Sequence, residues 1–419
     1  MRTYVIQCTM GMWHLLLGVG SVFAASNDTF NFLAMGDWGN DSPGQHACGA
    51  GMGVVAADID AKFVFALGDN CKAPMSSTTL AAAPPPQALT PLAPRTCPPP
   101  PPRIPAVYPN GIQMPADGDA GHLRFNKTFE NVYTAPSLRN VPFYAIAGNH
   151  DHNGNVTAQM QYTDHPQNVG GRWQFPNWYH NVTRRFEVGG ATVELEVLLF
   201  DSVVMLGNTD VQRADGAFEE LKLSALPPQD ATLAAEQLAW LTGRLQTSTA
   251  DYLWVGGHYP VWAIGQDPPT GVNAILRDLL NEHGAQYFNG HEHDFEHLRE
   301  EGSNVNYICT GAGYFCCYED KNLDTVPQGS IRFATSGNGG AKWYGGVEPP
   351  PFEILSGFTS YRVGANSMKV VFHAHNGTVL YETPPILPRI KTPQPPAAPP
   401  NPVCDNTTCP HTDRGGFTF

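Results

Sequence analysis

Basic residues are scarce in this chain: 24 Lys and Arg stand against 38 Asp and Glu, a formal charge of -14. That balance argues against nucleic acid or an anionic membrane surface as a partner. Long apolar runs are missing beyond the first 25 residues, so no later segment offers the roughly 20 apolar residues that a bilayer crossing needs. The nine cysteines follow no zinc-module spacing, and no internal repeat is evident. What remains is ample for a packed core: 42% apolar residues, with eight Trp and 21 Phe. At 419 residues the chain is long enough for one large α/β domain or two ordinary ones.

The first 25 residues read as an address. Arg2 gives a short positive start, Met12 to Ala24 an apolar stretch, and Val22-Phe23-Ala24 a cleavage-like signal. A soluble, exported product is expected. Seven N-x-[ST] triplets agree with export: Asn27, Asn40, Asn126, Asn155, Asn181, Asn376 and Asn406. Asn40, beside the first chemical motif, is the poorest acceptor among them. Cys48, Cys309, Cys316, Cys317, Cys404 and Cys409 suffice for a few bridges in an oxidising compartment, with connectivity not readable.

From Asn27 to about Glu382 strands alternate with helices, which is α/β architecture. Val272, Ile275, Leu276, Leu279 and Leu280 form an i, i+3, i+4, i+7, i+8 stripe that predicts a helix ending before Gly284. A second helix is expected from about Leu233 to Leu245. Thr359 to Val363, Lys369 to His373 and Val379 to Glu382 read as antiparallel strands, with Asn376-Gly377 as a hairpin turn, and suggest a second, closing sheet. Residues 384–419 read as a Pro-rich unpacked tail.

The chemistry sits in five clusters that each end a strand-like run. They are Met35-Gly36-Asp37-Trp38-Gly39, Leu67-Gly68-Asp69-Asn70, Ala147-Gly148-Asn149-His150-Asp151, Gly257-His258-Tyr259-Pro260 and Gly290-His291-Glu292-His293. The preceding strands are expected at Phe30 to Ala34, Phe63 to Ala66, Phe143 to Ile146, Tyr252 to Val255 and Gln286 to Phe288. Polar groups at the carboxyl ends of buried strands are what an α/β sheet offers as a site. Two Asp, one Asn and three His form an oxygen and nitrogen donor set without thiolate, suited to Fe, Mn or Zn. So many donors fit two metals better than one. A single Gly-Asp turn means little; five in order do.

The order Asp37, Asp69, Asn149, His258, His291, His293 resembles the metallophosphoesterase pattern, and within it the small, single-domain, tartrate-resistant type of purple acid phosphatase. Thr128-Phe129-Glu130, Pro136-Ser137-Leu138, Gly154-Asn155-Val156 and Tyr259-Pro260-Val261-Trp262 extend the likeness, which covers about residues 30 to 315 closely and runs loosely to 382. The resemblance implies a four-layer α/β/β/α sandwich of two mixed β-sheets spanning residues 27–383, without the amino-terminal β-domain of larger plant enzymes. It implies Fe(III) held by Asp37, Asp69, a tyrosine and His293. A divalent Fe, Zn or Mn would be held by Asp69, Asn149, His258 and His291, with Asp69 bridging. Paired cations offset the charge of a phosphate dianion and acidify a bound water. His150 would serve as proton donor to the leaving group. The implied substrates are small phosphorylated molecules and phosphoproteins, hydrolysed as monoesters in the extracellular space, vacuole or lysosome, on an N-glycosylated protein.

The chain departs from the family in places. Three residues after Asp69 the family has tyrosine; here stands Lys72, whose ammonium would repel Fe(III). The expected continuation, Tyr108-Pro109-Asn110-Gly111-Ile112, follows 36 residues rich in Pro, Ala, Ser and Thr, including Pro98 to Pro102. We read residues 71–106 as a retained intron or an erroneous gene model. Cys71-Lys72 can be encoded TGT-AAG, which contains a splice donor, and Ala106-Val107 can be encoded GCA-GTC, which contains an acceptor. Joining them restores Gly-Asp-Asn-Phe-Tyr. If the insertion is genuine, Tyr108 can still loop back at modest entropic cost; otherwise the iron site loses a ligand. Asp267 stands where small members often carry a second histidine. Glu292 replaces the commoner Asp and is expected to point away from the metals. Cysteines near Gly207 and Val272 are absent.

Among other candidates, Asp151 is expected to orient an imidazole, and His152 and His297 to be solvated or structural. Trp38 and Trp262 read as packing, and His373 and His375 carry no metal pattern. Two other readings compete with the phosphomonoesterase: a phosphodiesterase or nucleotide hydrolase on the same metals, and a catalytically impaired binding protein whose insertion displaces the tyrosine.

Overall fold

Strand β1 (Phe30–Met35) has side chains that alternate between two cores, Phe32 and Ala34 on one face, Leu33 and Met35 on the other. A strand apolar on both faces is covered on both sides. The computed structural model describes residues 29–70, 119–212, 218–220, 230–267 and 270–390. The expected signal segment, the 71–106 insertion, Tyr108, Asn27, Asn406, Cys404 and Cys409 lie outside the described residues.

The remaining strands are β2 (Val64–Leu67), β3 (Phe143–Ile146), β4 (Trp173–Gln174), β5 (His180–Val188), β6 (Ala191–Leu199), β7 (Asp210–Gln212), β8 (Phe218–Glu220) and β9 (Tyr252–Gly256). They continue with β10 (Gln286–Asn289), β11 (Phe295–Leu298), β12 (Tyr307–Thr310), β13 (Ile331–Ser336), β14 (Lys342–Tyr344), β15 (Gly357–Val363), β16 (Met368–Ala374) and β17 (Val379–Glu382). One mixed sheet has seven strands in the order β17-β16-β15-β1-β2-β3-β4. The other has eight, β14-β13-β11-β12-β10-β9-β6-β5, and β7 pairs β8 as a separate ribbon.

Three apolar clusters separate four layers. Between the sheets lie Phe32, Phe65, Trp254, Phe288 and Tyr361, with Phe32 stacked on Tyr361 at 4.4 Å and Trp254 edge-on to Tyr361 at 5.3 Å. Outside the seven-stranded sheet, Leu33, Val64 and Ala145 meet Met52 and Val55 of helix Pro43–Ile59. That helix starts as its sequence dictates: Ser42 accepts from the Gln45 amide and Pro43 occupies the first turn, where no donor is needed. Outside the eight-stranded sheet, Leu253, Val255 and Tyr287 meet Trp240 and Leu241 of helix Ala231–Thr247 and Leu276 and Leu280 of helix Val272–His283. The last helix closes at Gly284, whose φ of 61° lets the chain reverse. This is the α/β/β/α sandwich expected from the sequence.

One expectation needs correction. The late strands β15, β16 and β17 do not form a second sheet; they extend the first, because β15 pairs antiparallel with β1 from Phe30↔Val363 to Ala34↔Thr359. Their turn is as read, with Gly377 at φ 85°. Packing also continues past residue 383. Ile386 pairs with Met368 and is buried, and the Arg389 amide donates to the Asp251 carbonyl at 2.9 Å.

Cys316 and Cys317 are joined to each other, while Cys48 and Cys309 are buried thiols. No helix of the described residues is long and apolar enough to cross a membrane. Asn40 is buried and Asn376 exposed, which separates the poorest glycan acceptor from the best placed.

Strands β1, β2 and β3 run parallel, and so do β9 and β10. Their carboxyl ends reach the same edge of the sandwich, where the two sheets meet.

Candidate metal centre

At that edge the five loops interlock so closely that glycine is required. A Cβ on Gly36 would lie 2.7 Å from the Gly290 Cα, and one on Gly148 would lie 2.4 Å from Asp69 Oδ1. The space is filled by backbone and by the Asp69 carboxylate itself, so a side chain there would displace the site. Immediately after three of these glycines come Asp37 (φ 54°), Asp69 (φ 54°) and His291 (φ 73°). Non-glycine residues in the left-handed region cost of order 1–3 kcal/mol each and persist where the surroundings over-determine them. The site stores that strain to aim its side chains inward.

The sequence-predicted residues converge. One donor atom each of Asp37, Asp69 and His258 lies within 4.8 Å of the others. His258 Nε2 is 2.8 Å from Asn149 Oδ1 and 3.4 Å from Asp69 Oδ1. Its Nδ1 is 2.8 Å from the Leu67 carbonyl, which makes Nδ1 the donor and leaves Nε2 to face the site. His293 Nε2 is 3.2 Å from Asp37 Oδ1, and the His291 amide donates to Asp37 Oδ2 at 2.6 Å. The His258 and His291 rings meet edge-on at 5.1 Å. All six residues are buried, whereas the His150 side chain is 18% exposed and its Nε2 stands 3.8 Å from Asp69 Oδ2. His150 is therefore more open to solvent than the three buried imidazoles.

Clustered carboxylate oxygens, imidazole nitrogens and an amide oxygen, withdrawn from water, are the donors that transition-metal cations take. Burying two carboxylates without positive charge is costly. The residues present thus fit bound transition-metal cations.

Asp151, expected to orient an imidazole, joins two of the loops. Its Oδ2 accepts from the amides of Gly148 (2.9 Å) and Asn70 (3.1 Å), and its Oδ1 from Gln159 Nε2 (2.7 Å). It clamps the Asp69 and Asn149 loops to each other. Burial, then the charge of Asp69, pushes its carboxyl up to about 7. Glu292 turns toward the segment that follows β9, where Oε2 faces the Asp267 amide at 3.5 Å. Burial, followed by the charges of Asp267, Asp294 and Glu296, holds it well above the carboxylate range. Asp267 itself lies 3.7 Å from His291 Nε2. Trp38 packs among Phe129, Tyr133 and Trp173, and Trp262 donates to Glu300, so both are packing residues. His297 is buried between Tyr381 and Asn306, and His373 between Ser360 and the Gly377 carbonyl.

Sequence reasoning missed two partners. Tyr318 stacks on His293; no motif marks it. Asp201 holds His152, with Nε2 2.8 Å from Oδ2, while Oδ1 caps the turn Ser202–Leu206 through the Val203 and Val204 amides. Burial opposes a charged His152, yet the Asp201 carboxylate outweighs it and the imidazole is raised above its ordinary value. A raised histidine stabilises the fold fully below its unfolded value of about 6.5, and that contribution disappears as pH rises through the folded value. His152→Gln should therefore destabilise the protein more at about pH 5.5 than at about pH 9. Urea unfolding at both pH values tests this; a deficit independent of pH would contradict it.

Residues 116–295 match the family described as Calcineurin-like phosphoesterase. The chain is 30% identical over 382 residues to tartrate-resistant acid phosphatase type 5 of Rattus norvegicus, covering 89% of this chain and 95% of that protein. Against the Sus scrofa protein of that name, identity is 34% over 267 residues, 63% of this chain and 70% of the other. Purple acid phosphatase 17 of Arabidopsis thaliana is 26% identical over 362 residues, 86% of this chain and 85% of the other. A solved structure titled "GAP50 the anchor in the inner membrane complex of Plasmodium" superposes with a TM-score of 0.61 at 16% identity, covering 87% of this chain and 90% of that one. That last likeness is one of fold alone.

Proposed function

Since the chain belongs to the purple acid phosphatases, within the calcineurin-like phosphoesterases, we propose that this acid phosphatase hydrolyses phosphate monoesters at a dinuclear metal centre in the secretory pathway. The observation that supports the centre best is the convergence of Asp37, Asp69 and His258 from three different strand ends. Asp37, Asp69 and His293, with a tyrosine, would hold Fe(III); Asp69, Asn149, His258 and His291 would hold a divalent Fe, Zn or Mn. Tyr108 lies outside the described residues. Bound there, the two ions would offset the charge of the phosphate dianion and supply an acidified water.

The chain's own groups do the rest. Asp69, with its amide neighbours locked by Asp151, sets the spacing between the two half-sites. Buried walls from Trp38 to Tyr259 exclude bulk water beneath the donors. His150 stands at the open side, where the leaving oxygen needs a proton or a hydrogen bond. The apolar start of the chain and the exposed Asn376 triplet support an exported glycoprotein acting on small phosphorylated molecules and phosphoproteins.

Parallel assays of p-nitrophenyl phosphate and bis(p-nitrophenyl) phosphate test the substrate class. Turnover of the monoester should exceed that of the diester by at least about tenfold at mildly acid pH, a difference of about 1.4 kcal/mol in barrier. Preference for the diester would make the enzyme a phosphodiesterase, and no turnover of either would favour the impaired form.

A further inference from the structure

The iron half-site lacks its family tyrosine at the usual place, Lys72, and the described residues contain a tyrosine against the same histidine from another segment. Tyr318 Oη lies 3.4 Å from His293 Nε2. That nitrogen is also the one 3.2 Å from Asp37 Oδ1. A phenol oxygen and a carboxylate oxygen thus both approach one imidazole nitrogen. For bonds of about 2.1 Å at right angles, neighbouring donors lie about 3 Å apart, close to both spacings.

We propose that Tyr318 supplies the phenolate ligand of the trivalent ion in this protein. The assignment rests on the two-cation reading above and deepens it. Position and support agree with it. The Tyr318 and His293 rings stack at 4.2 Å with 13° between planes, so the phenol is held beside the imidazole along its length. The Tyr318 carbonyl accepts from the Gly337 amide at 2.7 Å and from Ser336 Oγ at 3.1 Å, which pins the residue to the end of β13. Just before it, Cys316 and Cys317 are joined, the Cys316 amide donates to the Leu355 carbonyl, and Cys317 Sγ lies 3.2 Å from Thr335 Oγ1. Hydrogen bonds at Cys316, Cys317 and Tyr318 thus tie the segment to its neighbours, as a ligand-bearing loop requires. A phenolate is a hard anionic oxygen suited to Fe(III), and tyrosine serves iron in other proteins. A neutral hydrogen bond between Tyr318 and His293 is the competing reading, and spectroscopy separates the two.

A phenolate on Fe(III) produces a visible charge-transfer band. The test uses the full chain loaded with Fe(III) and Zn(II), with iron and zinc measured on each sample. The expected result is a coloured protein in which Tyr318→Phe removes at least about nine-tenths of the band, while Tyr108→Phe and Tyr314→Phe keep it. Circular dichroism verifies folding. Site-specific 3-fluorotyrosine at 318 keeps the shape of the side chain and covers the case of a misfolded phenylalanine variant. Fluorine lowers the donor orbital of the phenolate, so the band should move to shorter wavelength. An unshifted band, a band that survives Tyr318→Phe, or one abolished by Tyr108→Phe overturns the assignment. Iron bound without a band overturns it alone; absence of bound iron overturns it together with the two-cation reading.

Discussion

Replacing Asp69 by Asn should lower kcat/KM for p-nitrophenyl phosphate by about 10³-fold or more, about 4 kcal/mol of transition-state stabilisation. The metal content of the variant should fall by about one ion per chain. The size of the effect follows from position. Asp69 lies between donors of both half-sites: one donor atom each of Asp37, Asp69 and His258 lies within 4.8 Å of the others, and His258 Nε2 is 3.4 Å from Oδ1. The same Oδ1 accepts the His150 amide at 3.1 Å, so the carboxylate also fixes the helical turn that carries Asn149. An amide of the same shape fills the space, yet it removes the charge that would be shared between two cations. Its left-handed backbone, at φ 54°, is tolerated by Asn at least as well as by Asp. Loss of function without loss of fold is thus expected, read by kinetics beside circular dichroism. A variant with two ions and activity within about tenfold of wild type would show that Asp69 does not bridge.

His150→Ala should leave the metal content unchanged and cost about 10²- to 10⁴-fold in kcat on an alkyl phosphate, the usual contribution of a positioned proton donor. On p-nitrophenyl phosphate the loss should be at least about tenfold smaller, because nitrophenolate leaves with little need of a proton. This contrast separates a leaving-group donor from a residue that merely shapes the pocket. The structural basis is the difference in access: His258 and His293 are fully buried, whereas the His150 side chain projects partly into solvent. Equal losses on both substrates would remove His150 from proton transfer; metal loss would make it a ligand.

The strand-end clusters were legible because the local rule is strong. One apolar run ending in a glycine and a polar donor is usually a plain turn, but five in order are not, and Asp37, Asp69, Asn149, His258, His291 and His293 do meet. The helix Val272–His283 was legible for the same kind of reason, since its stripe and Gly284 stop are local. Pairing of β15 with β1 was not, because the two strands are more than 300 residues apart and nothing in their alternation names a partner. Asp151 shows the limit at the site. Its sequence neighbours are imidazoles, which suggest a partner there; its bonds to Gly148, Asn70 and Gln159 were not legible, because only the fold brings Asn70 beside it. Tyr318 belongs to an aromatic run, Tyr314, Phe315 and Tyr318, that reads as ordinary packing until His293 is found stacked upon it. Asp201 was hidden similarly, as a helix cap whose second oxygen reaches His152.

Metal stoichiometry of the purified full-length chain is the most direct measurement of the central claim. Two tightly held cations per molecule, one of them iron, with about one lost when Asp37, Asp69 or His258 is replaced, is the predicted result. A protein that binds no transition metal, or that keeps its full complement after loss of those side chains, would contradict it.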